Sequence, residues 1–322
     1  MTPSTTTDDR SPAGTQPGSG AYVVINELLQ LRFAARDLKL SPRSKAIANL
    51  AGGRQSNFRG RGIEFDEVRR YQPGDDLRTL DWRVTARTGF AHTKLYHEER
   101  ERPLILVADQ RQSMFFGSQR SFKSVQAVHA AALLAWSGIA GGDRVGGLVL
   151  SNSAHHEVRP RRSHRNVLRF LELCEQYNHR LSASPPPEDS LDFSTALRDL
   201  RRIARPGSAL FLISDFSDWS QRAYEQLGLL ERHCEIYALA ISDPLERELP
   251  PAGIYRVSDG RTEQTIDTAP RKLRKSYQQV FEQRFDSLAN DLAQLGIPLL
   301  ELSTINSPRL ELARYFNARR KR

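Results

Sequence analysis

The sequence predicts an α/β fold: a doubly wound, mainly parallel sheet preceded by a smaller N-terminal β-containing region. Three observations lead there. From residue 103 onward, short apolar runs alternate with longer segments whose apolar residues recur at helical spacing, and strands that alternate with helices pair in parallel. Gly141-Gly142-Asp143 closes one such segment and opens the next apolar run, as a C-cap glycine should. Two apolar runs, 104–108 and 209–214, lead directly into Asp109 and Asp215, which places two carboxylates at the edge where open α/β sheets bind ligands.

Residues 1–20 are rich in Thr, Ser, Pro, Gly and Asp without an apolar core, and read as a disordered tail with no secretory signal. Residues 24–40 carry Leu28, Leu31, Ala35 and Leu38 at helical spacing, with Asn26 as the expected N-cap and Ser41-Pro42 as the stop. Four glycines among arginines make 52–62 a loop. Residues 63–71 alternate like a strand, Pro73-Gly74 turns the chain, Asp75 is placed to cap a short helix through Leu80, and 90–101 form another strand. Beyond these, strands are expected at 103–108, 144–150, 208–214, 235–241 and 297–302. Helices are expected at about 119–140, 164–179, 192–205, 219–232, 271–295 and 307–318. Pro185-Pro186-Pro187 marks an exposed loop at 182–190, and a Pro- and Gly-broken stretch at 244–268 reads as a hairpin insertion. The organisation expected is therefore a tail (1–20), a helix plus β-containing region (21–102) and an α/β domain (103–322).

Composition narrows the function classes. A hydrophobic fraction of 39% in 322 residues can build a core. The longest apolar run, 127–140, is interrupted by His129 and Gly138 and falls short of the roughly 20 residues a membrane span needs, so a cytoplasmic protein is expected. Cys174 and Cys234 form no CxxC pair and read as buried thiols. The net charge of +9 permits acidic partners without choosing among them. Basic clusters at Arg159-Pro160-Arg161-Arg162, Arg201-Arg202 and 319–322 lack interleaved aromatics, so solvated faces take precedence over nucleic-acid binding.

Candidate chemistry concentrates in two places. Asp109-Gln110-Arg111-Gln112-Ser113 brings a carboxylate and a hydroxyl to the sheet edge, and with Asp215 these oxygens suit Mg²⁺. Arg111 argues against the ion, since its fixed charge can pair with Asp109 or Asp215 and take the cation's place. The second place is the run from Tyr71 to Arg87, which includes Pro73, Gly74, Asp75, Asp76, Arg78, Asp81 and Trp82. Its carboxylates and guanidiniums alternate around Trp82, as in a partly buried network that fixes a loop; a partner surface and an acid/base site stand behind that reading. His92 and His97 with Glu98 and Glu99, and the pair His155-His156, are weak metal candidates; no nucleophile elbow, His-Glu-x-x-His or Walker A motif occurs.

The pattern Gly60-x-Gly62-x-Glu64-Phe65, Arg69-x-Tyr71-x-Pro73-Gly74-Asp75-Asp76-x-Arg78-x-x-Asp81-Trp82, then Ala86-Arg87, resembles the signature of the DUF58 family. Glu99, Asp109, Ser113-Met114, Phe116-Gly117, the run from Gly142 to Gly146, and the run from Ile213 to Phe216 extend the resemblance over roughly 25–245. The resemblance implies a von Willebrand factor A-like domain, in which Asp109 and Ser113 match the first and last positions of an Asp-x-Ser-x-Ser ion site and Asp215 matches a later Asp. It leaves the remaining ligand open among Ser190, Asp192, Ser194 and Thr195. It also implies a MoxR-type AAA+ ATPase as partner. The expected function is a non-enzymatic adaptor that docks a partner at the sheet edge, with a nucleic-acid or acidic-surface binder as the alternative and a metal-dependent hydrolase behind both.

Overall fold

The computed structural model describes residues 20–38, 40, 63–72, 75, 77–98, 102–183, 191–258 and 262–318. The expected tail, the 52–62 loop, Ser41-Pro42, Pro73-Gly74, Asp76, Glu99 and most of the 182–190 loop lie outside these residues. The chain divides into two compact units, 1–42 with 102–322 and 43–101.

The larger unit is a mixed α/β structure around six strands: β3 (Pro103–Asp109), β4 (Arg144–Leu150), β5 (His155–Arg161), β6 (Ala209–Ser214), β7 (Glu235–Ser242) and β10 (Leu299–Ser303). They lie in the order β10-β7-β6-β3-β4-β5, parallel throughout except for β5, which runs antiparallel to β4. The pleat explains why the inner strands are apolar without alternation: successive residues point to opposite faces, and both faces are covered. Leu104, Leu106 and Ala108 enter one core with α1 (Ile25–Ala34), α3 (Lys123–Ala140), α4 (His164–Asn178) and α9 (Pro308–Ala318). Ile105 and Val107 enter the other with α5 (Phe193–Leu200), α6 (Gln221–Glu231) and α8 (Arg271–Gln294).

Helix α3 is buried on every side, from Lys123 through Ile139. A helix apolar all round belongs inside a fold, and its alanines 127, 130, 131, 132 and 135 let neighbouring elements approach closely. One of these neighbours is α1, which the sequence grouped with residues 21–102 and the structure joins to the α/β unit. Leu28 is completely buried, and Trp136 Nε1–H donates to the Leu28 carbonyl at 2.9 Å. The N-cap is Val24 instead of the expected Asn26, and it supplies no side-chain cap. Glu175 of α4 accepts from the Ile25 N–H at 2.7 Å and Asn178 from the Val23 N–H at 2.8 Å, so a neighbouring helix satisfies donors that a local cap would otherwise serve.

Edge strand β5 is absent from the sequence expectation, which took His155-His156 for a short polar segment. Only Val158 of its seven residues is fully buried, so the apolar signal disappears, and Pro160 falls in the register shift opposite Gly146, a bulge position where proline is tolerated. The 244–268 stretch forms α7 (Pro244–Arg247) and the antiparallel pair β8 (Ile254–Ser258) and β9 (Glu263–Asp267). Cys174 and Cys234 are free and buried, as expected. No helix among the described residues is long and apolar enough to cross a membrane.

In the smaller unit, β1 (Ile63–Arg70) and β2 (His92–Glu98) form an antiparallel ladder with an irregularity between Phe65 and Glu67. The segment between them contains a 3₁₀ turn at Leu77–Thr79 and helix α2 (Trp82–Thr88), closed by Gly89 at φ 74°.

Tight packing around β4 yields a stability prediction. A Cβ on Gly147 would collide with the Phe170 ring of α4 and the Leu106 carbonyl of β3. Gly147→Ala is expected to destabilise the chain by about 1–3 kcal/mol, read as a shift in urea midpoint; an unchanged midpoint would refute this account of the packing.

Candidate functional site

The parallel strands deliver polar side chains to one edge. β3 ends in Asp109, β6 leads into Asp215, β7 into Asp243 and β10 into Thr304, all of them buried. Two buried cations organise them.

Arg111 turns back on the end of its own strand. Its Nη2–H donates to Asp109 Oδ2 at 2.7 Å, and its Nε–H to Oδ1 at 3.0 Å, while its backbone N–H reaches Oδ1 at 3.0 Å. Ser214 Oγ–H donates to Asp109 Oδ2 at 2.6 Å. Arg111 also forks to Asp218, with Nη2–H donating to Oδ1 at 3.0 Å, and lies 5.5 Å from the centre of the Phe193 ring. The planar five-donor guanidinium can clasp two carboxylates at once. Burial disfavours its charge, but Asp109 and Asp218 outweigh that and push its pKa further above the ordinary value.

Lys123, the first residue of α3, is the second cation. Its ammonium donates to Asp215 Oδ2 at 2.7 Å and Glu246 Oε1 at 2.6 Å. Burial lowers the lysine's pKa, and the two carboxylates reverse this to a net rise. For Asp215, burial acts to raise the pKa, but the charge and hydrogen bond of Lys123, with the Ser217 N–H at 3.0 Å, bring it to about 2. Glu246 extends the chain of bonds by closing a capping box on α7: it accepts from the Asp243 N–H, and Asp243 accepts from the Leu245 N–H, each at 2.9 Å. Asp243 Oδ2 then accepts from Thr304 Oγ–H at 2.6 Å and the Ser118 N–H at 2.9 Å. Between Asp215 and α6, Phe216 holds φ 50°, a costly conformation for a bulky residue; its ring is buried against Phe193 and Trp219.

The expected Mg²⁺ set meets this arrangement poorly. Every oxygen of Asp109 and Asp215 already accepts a hydrogen bond, and a divalent ion would have to displace a guanidinium from one carboxylate and an ammonium from the other. Ser113 is exposed on a 3₁₀ turn, Gln112–Met114. Asp192 caps α5, accepting the Thr195 N–H and the Ser194 hydroxyl, each at 2.8 Å, so Asp192 and Thr195 serve the helix start. Among the described residues no group of three His, Cys, Asp or Glu is arranged to hold a metal. The donor set does not fit a divalent ion; of the two pairings expected for Arg111, the direct one is with Asp109, and Lys123 serves Asp215.

The sequence reading missed Lys123, Asp218, Glu246 and Asp243. Lys123 left a signal, a lone charge opening an otherwise alanine-rich buried helix. Asp218 left none, because its relation to Arg111 spans 107 positions.

The other candidate segment behaves differently. Asp81 caps α2 by accepting from the Arg83 and Val84 N–H groups, and Asp75 pairs with Arg69 at 2.7 Å and accepts from the Gln72 N–H at 2.9 Å. These bonds hold local turns. Trp82, expected at the centre of a partly buried network, is 71% exposed, and Arg78 and Arg87 are exposed as well. The Asp81 cap is made to backbone N–H groups, so it forms without covering the Trp82 ring.

These features define a mixed α/β protein whose sheet ends in a buried ion-pair lattice. The model of the family described as "Protein of unknown function DUF58" matches residues 67–285, and the chain belongs to that family. Uncharacterized proteins of Mycobacterium tuberculosis and Mycobacterium bovis are each 31% identical over 322 residues, covering 98% of both chains. Among solved structures, the conserved hypothetical protein BatB from Bacteroides thetaiotaomicron is similar at a TM-score of 0.39 and 13% identity, covering 69% of this chain and 100% of that one.

The Lys123–Asp215 pair predicts a reversal of pH response. The folded pKa of Asp215 lies below its unfolded value, so its stabilisation is present above about pH 4 and is lost as pH falls through about 2. Lys123→Met leaves the carboxylate buried and is expected to cost about 3–5 kcal/mol at neutral pH. Burial would then raise the Asp215 pKa, so the variant should lose stability as pH rises above about 4. Urea melts between pH 3 and 7 would show this slope in Lys123→Met and its disappearance in Lys123→Met/Asp215→Asn; parallel wild-type and variant curves would sink the assignment.

Proposed function

We propose that this protein is a non-enzymatic cytoplasmic adaptor that presents the carboxyl edge of its sheet to a protein partner, a MoxR-type AAA+ ATPase, in protein or complex maturation. The observation that carries the reading is the ion-pair lattice. A general acid or base needs a pKa near the working pH, whereas Asp215 is held near 2 and Arg111 and Lys123 are held charged. Groups locked in this way hold loops in a fixed shape, and a fixed shape suits recognition. The von Willebrand A-like reading of the sheet supports the choice of edge, and the charged side chains supply internally what an ion would supply in such a site.

The same edge offers surface for contact. Phe116 is 40% exposed and Ile305 39%. A cleft of about 530 Å³ runs beside the ends of β7 and β10, lined by Leu245, Leu249, Pro250 and Ile305 with Glu248 and Glu301. It suits an apolar anchor; Arg247, which also lines it, is paired with Glu301 at 2.6 Å. Leu77, Trp82 and Phe90 of the smaller unit, exposed at 64%, 71% and 57%, supply a further partner surface next to Asp75, Asp81 and Arg87. The alternative, a binder of nucleic acid or acidic surfaces, draws on arginines at the opposite end of the sheet.

Asp109 is a poor position for testing the edge, because removing it strands the buried Arg111. Exposed positions separate docking from folding. Phe116→Glu/Ile305→Glu should weaken binding to a purified MoxR-type ATPase by about tenfold or more, roughly 1.4 kcal/mol, with an unchanged melting temperature. Wild-type affinity in the folded variant would remove this edge from the interface, and failure of the wild-type protein to bind the ATPase with or without nucleotide would remove the partner.

A further inference from the structure

The amino end of the sheet carries the opposite chemistry. Arg144 opens β4, Arg159 and Arg161 close the antiparallel β5, and Arg202 and Arg205 lie between α5 and β6. These three regions of the chain converge because β5 runs antiparallel to β4, which brings its last residues to the same end as the first residues of β3, β4 and β6. The five arginines line one cleft of about 570 Å³ with Pro103, Pro160 and Ile203. Glu157 is the one carboxylate among the described lining residues, and it sits 3.4 Å from Arg159. Arg161 is shared with a neighbouring depression lined by Arg165, Arg169 and Ser163 together with Glu172.

Five arginines lining one cleft raise the local positive potential, which favours a multivalent anion. Guanidinium forks match the paired oxygens of phosphate. The lining contains no aromatic ring among the described residues, so it offers no platform for stacking the bases of a single strand. The cleft falls in the size range of small-ligand sites.

We propose that this cleft binds a compact phosphate chain, the di- or triphosphate group of an inorganic polyphosphate or a nucleotide. The site stands at the far end of the sheet from the docking edge, so either assignment can fail without the other.

The test is calorimetric titration of the full chain with sodium tripolyphosphate at constant ionic strength in EDTA, alongside thermal melts. Saturable binding near one equivalent is expected, with a rise in melting temperature. Arg161→Gln/Arg202→Gln/Arg205→Gln should lower affinity at least tenfold without lowering the melting temperature of the free protein, since it removes like charges from an exposed cleft. Lysine at the same three positions keeps the charge, loses the fork and should bind with intermediate affinity. ATP competing equally would admit nucleotides as the source, whereas tripolyphosphate binding alone would point to inorganic polyphosphate; both outcomes support the site. Absence of saturable binding, or equal binding by the glutamine variant, would overturn it. So would tight binding of duplex DNA or a glutamate-rich peptide with no response to tripolyphosphate.

Discussion

Lys123 is the interaction on which the carboxyl edge depends. An ammonium in the first turn of a helix opposes the helix dipole, and this one is also cut off from water, with 2% of its side chain exposed. Neither condition is tolerable without partners. Asp215 and Glu246 supply them, and each is committed elsewhere: Asp215 holds the loop after β6, and Glu246 completes the cap of α7. One buried charge therefore ties the central helix to the ends of two strands. The tie specifies geometry more than it adds stability, because desolvating the charges offsets much of their attraction.

Arg111 repeats the device on the other side of β6. It joins the turn after β3 to Asp218, which also accepts the first backbone N–H of α5. The loops at this edge are thus held by charge-assisted bonds between residues remote in sequence, and even the strained backbone of Phe216 persists because the surrounding packing determines it. At the other end of the sheet the arginines gather around a cleft with a single lining carboxylate among the described residues. The same strands deliver carboxylates paired with buried cations at their carboxyl ends and a group of exposed arginines at the opposite end.

Legibility followed burial. The parallel strands β3, β4, β6 and β7 were readable because burial on both faces makes them continuously apolar. The longer helices of the α/β unit were readable apart from their ends (α5 stops at Leu200, short of the expected 205). The helix expected from Asp75 through Leu80 is instead a 3₁₀ turn at Leu77–Thr79, and the short helices α2 and α7 carried too few turns to show a period. Strand β5 was hidden, since an edge strand with one buried residue has no apolar pattern to read. The start of α1 was hidden because Glu175 and Asn178 of another helix satisfy its donors. Trp82 misled in the other direction: the charges around it cap turns by local bonds that need no buried ring.

By itself the sequence determined the α/β alternation, the apolar strands, the arrival of Asp109 and Asp215 at a common edge, and the conflict between Arg111 and a bound ion. These follow from local periodicity and from the direction in which parallel strands run. Tertiary structure alone decided that Asp109 and Asp218 share one guanidinium, that Lys123 serves both Asp215 and Glu246, that α1 joins the α/β unit, and that five scattered arginines face one cleft. Each depends on which distant residues the packing brings together, and a charge has no periodicity that announces its partner.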